Sequence, residues 1–403
     1  MAEFSVTTLG TKNEKKIFYL VLDGLGGIPF PGVGKTALEA ACKPNINALL
    51  PHATCGLFDP VEPGITPGSG PGHLGLFGYD PRKYQIGRGV LSALGVDFPL
   101  GPDDVAARFN FCTLDKERKI TDRRAGRIST ETNIRLIKML TEQVRLPGRV
   151  ELFLKTEAEH RGLFVVRGKG LGGNVGDTDP QKVGALPLDP VAHDEQAKTT
   201  AELARGFVQQ AEKILAREEK ANGVLLRGFD KFPGIPKMHE LFPLKCGAVA
   251  TYPMYRGVAR LVGMEVLPPP ADLPATFEMA VAQRDNFDYL FIHVKYTDKA
   301  GEDGNFEWKV RVIEEVDAQL PKLLAARPDV LVITGDHSTP AALKAHSWHA
   351  VPGLLYAPAT ARPDNLPAFD EQHCRCGGFG RMPLRMLMQL ALAHALKLEK
   401  FGA

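Results

Sequence analysis

Asp23, Asp298, Asp336, His337 and His346 are the residues of this chain whose types first suggest chemistry. Carboxylate and imidazole are ligands for zinc, manganese and magnesium. Each aspartate follows an apolar run. Ile17–Leu22 runs into Asp23, Tyr289–Val294 reaches Asp298 after a short polar step, and Val330–Ile333 leads to Gly335-Asp336-His337. A buried parallel strand reads as such a run, and an open α/β sheet gathers its chemistry where its strands end. Three such strands predict three carboxylates and an imidazole at one edge, the makings of a two-metal site. His337, His346 and His349 crowd one short stretch, which weighs against a solvated turn.

Gly68-Ser69-Gly70-Pro71-Gly72-His73 offers a nucleophile. A serine in a Gly/Pro-rich turn ahead of a helix points its hydroxyl outwards, and the adjacent amides suit an oxyanion or phosphate. A plain N-cap serine is the alternative. Asp298 and Glu302 are four apart and face one cation if their segment is helical; otherwise they belong to a solvated loop. Asp122-Arg123-Arg124-Ala125-Gly126-Arg127 concentrates guanidinium groups suited to clamping phosphate or carboxylate, although any one of them alone reads as a solvated face. His160-Arg161 and Arg227 are further anion-binding candidates. Gly32-Val33-Gly34-Lys35-Thr36 imitates the end of a phosphate-binding loop but has Pro29 where the first glycine is required, so nucleotide binding by that route is rejected.

The elements that must carry these groups alternate between β and α. Lys16–Asp23, Tyr289–Val294, Val330–Thr334 and Gly353–Tyr356 read as strands. Thr54–Val61 reads as a further extended piece, and Thr36–Leu50, Phe306–Leu324 and Leu384–Leu398 as helices. This predicts an α/β fold, a mostly parallel sheet sandwiched by helices. The middle of the chain has short strands at Arg108–Leu114, Val150–Leu154, Leu163–Arg167 and Gly223–Arg227, and helical spacing at Thr132–Gln143 and Asp194–Glu218. It reads as an inserted α+β domain over 101–240, splitting an outer domain made of 1–100 and 241–403.

The 403 residues are 44% hydrophobic with a net charge of +2, too balanced to indicate a nucleic-acid or membrane surface. Residues 1–16 lack the apolar core of a signal peptide, and six scattered cysteines fit a reducing compartment. A cytoplasmic protein is expected.

Val21-Leu22-Asp23-Gly24, Thr66-Pro67-Gly68-Ser69, the run His73–Pro81, Asp122–Ile128 and Thr334–His337 together resemble the archaeal-type, 2,3-bisphosphoglycerate-independent phosphoglycerate mutases of the alkaline phosphatase superfamily. The likeness spans nearly the whole chain in motif order. It implies an alkaline-phosphatase-like sheet domain and a metal-dependent interconversion of 3-phosphoglycerate and 2-phosphoglycerate through a phosphoserine at Ser69. Asp23, Ser69, Asp336 and His337 match the ligands of one metal. Asp298 and His346 match ligands of the other, and Glu302 stands where the family has a histidine. Two divalent ions are implied, manganese first with zinc or magnesium as alternatives, and no 2,3-bisphosphoglycerate. The carboxylate at 302 makes the site harder and less zinc-like. Arg123, Arg124, Arg127, His160, Arg161, Asp177 and Arg227 are the candidate substrate-binding residues, with His160 or Asp177 as acid/base. A metal-dependent phosphatase or phosphodiesterase on the same scaffold is the competing enzyme reading, and a non-catalytic metal- or anion-binding protein the reading from another class.

Overall fold

In a computed structural model the chain forms two compact units, Met1–Gln85 with Ile235–Ala403, and Ile86–Gly234. The structure describes residues 6–232 and 234–402, so the first five residues of the polar N-terminal segment lie outside the described residues. The division falls at 85/86 and 234/235, where the sequence suggested 100 and 241. The helix Arg88–Gly95 accounts for the first difference, because it packs against the strands Asp104–Leu114 and Gly223–Lys231 of the second unit.

The larger unit holds an eight-stranded sheet. Its order is Gly380–Pro383, Ala53–Asp59, Val351–Tyr356, Val330–Thr334, Ile17–Leu22, Tyr289–Val294, Cys246–Val249, Glu265–Val266. Ile17–Leu22 is buried along its whole length, as a strand covered by helices on both faces must be. It runs parallel to both neighbours, with Leu22 opposite Val294 and Val21 opposite Thr334. The three strands therefore end together at one edge. Val351–Tyr356 alone runs against its neighbours, so the sheet is mostly but not wholly parallel. The helix Phe306–Ala325 starts on an Asn305 cap, whose side chain accepts from the Trp308 amide at 2.9 Å. It buries Val312, Ile313, Val316, Leu320 and Leu323 at helical spacing in the same core as Leu20, Ile292 and Ile333. Truncating Leu320 to alanine there is worth about 2–5 kcal/mol.

Two helices are shorter than expected. Thr36–Leu50 resolves into Ala37–Ala40 and Pro44–Asn47, because Pro44 has no amide to continue the first helix. The terminal helix is Arg385–His394 and stops short of Leu398.

The smaller unit is an antiparallel sheet ordered Ile120–Asp122, Asp104–Leu114, Arg161–Arg167, Glu151–Ala158, with Gly223–Lys231 also paired to Asp104–Leu114. The helices Thr130–Gln143 and Lys198–Leu215 supply Leu136, Leu140, Phe207 and Ala211 to a core shared with Phe109 and Phe164. Among the described residues no helix is long and apolar enough to cross a membrane.

Candidate active site

Because Ile17–Leu22, Tyr289–Val294 and Val330–Thr334 end at one edge, Asp23, Lys295 and the Asp336-His337 pair leave the sheet side by side. The ligand atoms of Asp23, Asp336 and His337 lie within 4.8 Å of one another, and so do those of Asp298, His337 and His346. His337 thus belongs to both groups, whereas the sequence assigned it to one. Its Nε2 is 3.2 Å from Asp23 Oδ1 and 3.2 Å from Asp336 Oδ2. His346 Nε2 is 3.6 Å from Asp298 Oδ1. Both oxygens of Asp23, Oδ2 of Asp336 and Nε2 of His337 are buried with no aligned hydrogen-bond partner. Such atoms cost about 1–3 kcal/mol apiece if left so. Carboxylate and imidazole groups clustered in this way are the donor set of a divalent cation, once the imidazole gives up its proton.

The helix Tyr296–Glu302 places Asp298 and Glu302 one turn apart on one face. Glu302 stays on the rim: it is half exposed, with Oε1 3.9 Å from His346 Nε2. Burial and then Asp298 push its carboxyl upwards.

Ser69 opens the helix Ser69–Leu76, and Gly68 is its cap, so the N-cap alternative for this serine does not hold. Gly72 brings this helix against the Asp336 carbonyl so closely that no Cβ fits. His73 Nδ1 is 2.9 Å from the Ser69 carbonyl and 3.1 Å from Asp336 Oδ2. The Tyr255 hydroxyl donates to Ser69 Oγ at 3.4 Å, and Lys295 Nζ donates to that hydroxyl at 2.9 Å. The same ammonium lies 3.1 Å from Asp23 Oδ2 and 2.5 Å from Asp298 Oδ2. Ser69 is therefore three links from the carboxylates of both groups, with Tyr255 and Lys295 between. Nothing in the sequence marked Tyr255, Lys295 or His73 as site residues. Lys295 follows a strand end as Asp23 does, and the same reasoning applied to it would have found it.

The charges reinforce one another. Burial disfavours His337 as a cation, but Asp336, Asp23 and Asp298 outweigh it and raise its pKa to about 9. Burial likewise pushes Asp23 upwards, yet His293, His337 and Lys295 hold it well below the usual range. Thr339 Oγ1 joins the two groups, donating to Asp298 Oδ1 at 2.6 Å and lying 2.9 Å from His337 Nδ1. Gly24, with φ of +65°, leaves room for that hydroxyl: a Cβ there would sit 2.6 Å from it.

In the smaller unit Arg108, Arg123, Arg124, Arg127, Arg161 and Arg227 line a cavity of about 320 Å³ with His160 and Glu159. The Nε groups of Arg108, Arg161 and Arg227 are buried without a hydrogen-bond partner. Arg123 is committed elsewhere: it grips Asp179 through two bonds of 2.9 and 2.7 Å. Asp177 does not line this cavity, and its Oδ1 accepts from the Gly228 amide at 2.7 Å. Burial, and then Arg161, lower the His160 pKa to about 4. Both Arg124 and Arg127 belong to a turn in which Ala125, Gly126 and Arg127 all have positive φ, a strained path for the two residues that are not glycine.

A parallel-centred α/β sheet with paired carboxylate–histidine groups and a serine at a helix start is the arrangement of a metal-assisted phosphoryl-transfer class of protein. Comparison with known proteins narrows this. A family model for 2,3-bisphosphoglycerate-independent phosphoglycerate mutase matches residues 51–221. A probable 2,3-bisphosphoglycerate-independent phosphoglycerate mutase of Thermus thermophilus is 50% identical over 398 residues, 98% of each chain. The corresponding protein of Aquifex aeolicus is 47% identical over 414 residues, 99% of each. Among solved structures, the PH0037 protein from Pyrococcus horikoshii superposes with a TM-score of 0.82 at 29% identity, covering 97% of this chain and 100% of that one. The cofactor-independent phosphoglycerate mutase of Thermoplasma acidophilum gives 0.76 at 30% identity, covering 94% and 100%. The chain belongs to the 2,3-bisphosphoglycerate-independent phosphoglycerate mutases, a family of isomerases.

Proposed function

We propose that this protein interconverts 3-phosphoglycerate and 2-phosphoglycerate, with Ser69 as the group that carries phosphate between the two. The observation that supports this most is the link from Ser69 Oγ through Tyr255 and Lys295 to Asp23 and Asp298. Asp23, Ser69, Asp336 and His337 are the residues to hold one divalent ion, and Asp298, His346 and Glu302 the other, with His337 close to both. When bound, such ions lower the pKa of a hydroxyl and screen charge on phosphoryl oxygens. Manganese fits best, with magnesium or zinc as alternatives, because carboxylates outnumber imidazoles and thiolates take no part.

Ser69 Oγ forms its bond to phosphorus as the substrate's own oxygen–phosphorus bond breaks. Glycerate must then stay bound, turn, and take the phosphoryl group back on its other hydroxyl. The arginine-lined cavity of the smaller unit supplies groups for the glycerate carboxylate, and its buried unpartnered Nε donors are what an anion would satisfy. His160, held neutral at pH 7, can accept a proton from a glycerate hydroxyl. The six cysteines are all free thiols, which fits a reducing cytoplasmic setting.

The test is mass spectrometry of the protein after incubation with 3-phosphoglycerate, alongside an enolase-coupled assay. Phosphate on Ser69 with 2-phosphoglycerate formed is the expected result. Release of inorganic phosphate without 2-phosphoglycerate would make it a phosphatase instead, and an unmodified Ser69 would remove the serine from the reaction.

A further inference from the structure

Lys309 is a charged side chain that phosphoryl transfer does not use and that the core should not tolerate. It lies on the helix Phe306–Ala325 and is 1% exposed. Burying an ammonium carries a large desolvation cost, and an apolar residue at this point of the helix would avoid it. The hydrogen bonds of its Nζ go to three main-chain carbonyls: Gly24 at 2.7 Å, Thr339 at 2.8 Å and Gly26 at 3.1 Å.

Those carbonyls belong to the two loops that carry the candidate ligands. Gly24 follows Asp23, and its amide donates to Asp336 Oδ1 at 3.0 Å. Thr339 is two residues beyond His337, and its hydroxyl touches both His337 and Asp298. The Thr339 amide reaches back to the Gly24 and Gly26 carbonyls at 3.3 and 3.1 Å. From the other side, Glu371 accepts from the Gly27 amide at 2.9 Å. One ammonium therefore gathers carbonyls that would otherwise point together and repel, and it does so where both ligand groups begin.

We propose that Lys309 is a positioning residue for the metal site. It acts as a built-in monovalent cation that holds the Asp23–Gly27 and His337–Thr339 loops in the geometry that a divalent ion requires. The proposal rests on the reading of Asp23, Asp298, Asp336 and His337 as ligands. Outer-layer groups that orient ligands typically carry about 10–100-fold of metal affinity.

The test is isothermal titration of Mn²⁺ into full-length protein stripped with a chelator, wild type against Lys309→Met. The substitution keeps the bulk of the stem and removes the charge. Both proteins are expected to bind, with the Kd of Lys309→Met raised about tenfold or more. An unchanged Kd in folded Lys309→Met overturns the proposal and leaves the metal reading standing; a wild type that binds no Mn²⁺ overturns both. Should Lys309→Met fail to fold, hydrogen exchange on stripped wild type decides the matter. Amides of residues 24–27 and 339 that stay protected without metal support an internal cation holding the loops. Exchange at the rate of an exposed loop overturns it.

Discussion

The Nε2 atom of His337 stands 3.2 Å from a carboxylate oxygen of Asp23, a residue more than three hundred positions away in the chain. The register of one parallel strand pair brings them together, because Ile17–Leu22 is bonded directly to Val330–Thr334. No covalent or local feature joins them. The site is a property of the sheet, and its chemistry depends on that edge staying intact.

Uptake of metal should release a proton. Three carboxylates hold His337 protonated to about pH 9, against the opposing pull of burial. An ion that takes its nitrogen must displace that proton at pH 7. Titration of Mn²⁺ in two buffers of different ionisation enthalpy should show release of about one proton per protein. Equal apparent enthalpies in both buffers would contradict the assignment of His337.

Ser69→Ala removes the proposed nucleophile and one weak hydrogen bond from Tyr255. Mutase activity should fall about a thousandfold or more, since a nucleophile acts as a unit with the groups around it. The circular dichroism spectrum and melting temperature should change little. Turnover near wild type would show that phosphate is carried elsewhere.

Arg161 offers a buried Nε with no partner in the arginine-lined cavity. A hydrogen bond to a charged group is worth about 1.5–3 kcal/mol, so Arg161→Ala should raise KM for 3-phosphoglycerate about 10–100-fold. Arg123→Ala differs in kind, because its guanidinium is held by Asp179 and its loss leaves that buried carboxylate only the Gln181 amide at 2.8 Å and Arg227 Nε at 3.6 Å. It should lower the melting temperature, whereas Arg161→Ala should not. Steady-state kinetics and calorimetry on the two variants separate these effects.

His160 should remain neutral over the working range. Its folded pKa is lowered to about 4 from 6.5, by burial first and Arg161 second. The unfolded chain takes up that proton near 6.5, so the stability this ring contributes is present above 6.5 and is lost as pH falls towards 4. An NMR titration of the ring should show a midpoint near the lower value. A midpoint at 6 or above would mean that the ring is solvated rather than held neutral by its surroundings.

The sheet edge was legible because three apolar runs ended on acidic residues, and a parallel strand permits few other readings. Asp23, Asp298, Asp336, His337 and His346 converge in the structure for that reason. Strands without a long apolar run, Glu265–Val266 and Gly380–Pro383, left no such mark. Tyr255 escaped notice because its importance comes from contacts across the fold, whereas Lys295 stands directly after a strand end and was open to the same reasoning as Asp23. Lys309 was hidden further, since a lysine at helical spacing reads as a solvated face until its burial is seen. The arginine cluster Asp122–Arg127 pointed to anion binding, but composition could not show that Arg123 is already paired with Asp179.

Anomalous diffraction at the manganese edge, from crystals grown with Mn²⁺, tests most directly whether these distant carboxylates and imidazoles form one dinuclear site beside Ser69. Two peaks are predicted, one among Asp23, Asp336 and His337 and one among Asp298, His337 and His346, both within reach of Ser69. Peaks elsewhere, or none at these residues in crystals of active protein, would contradict the account.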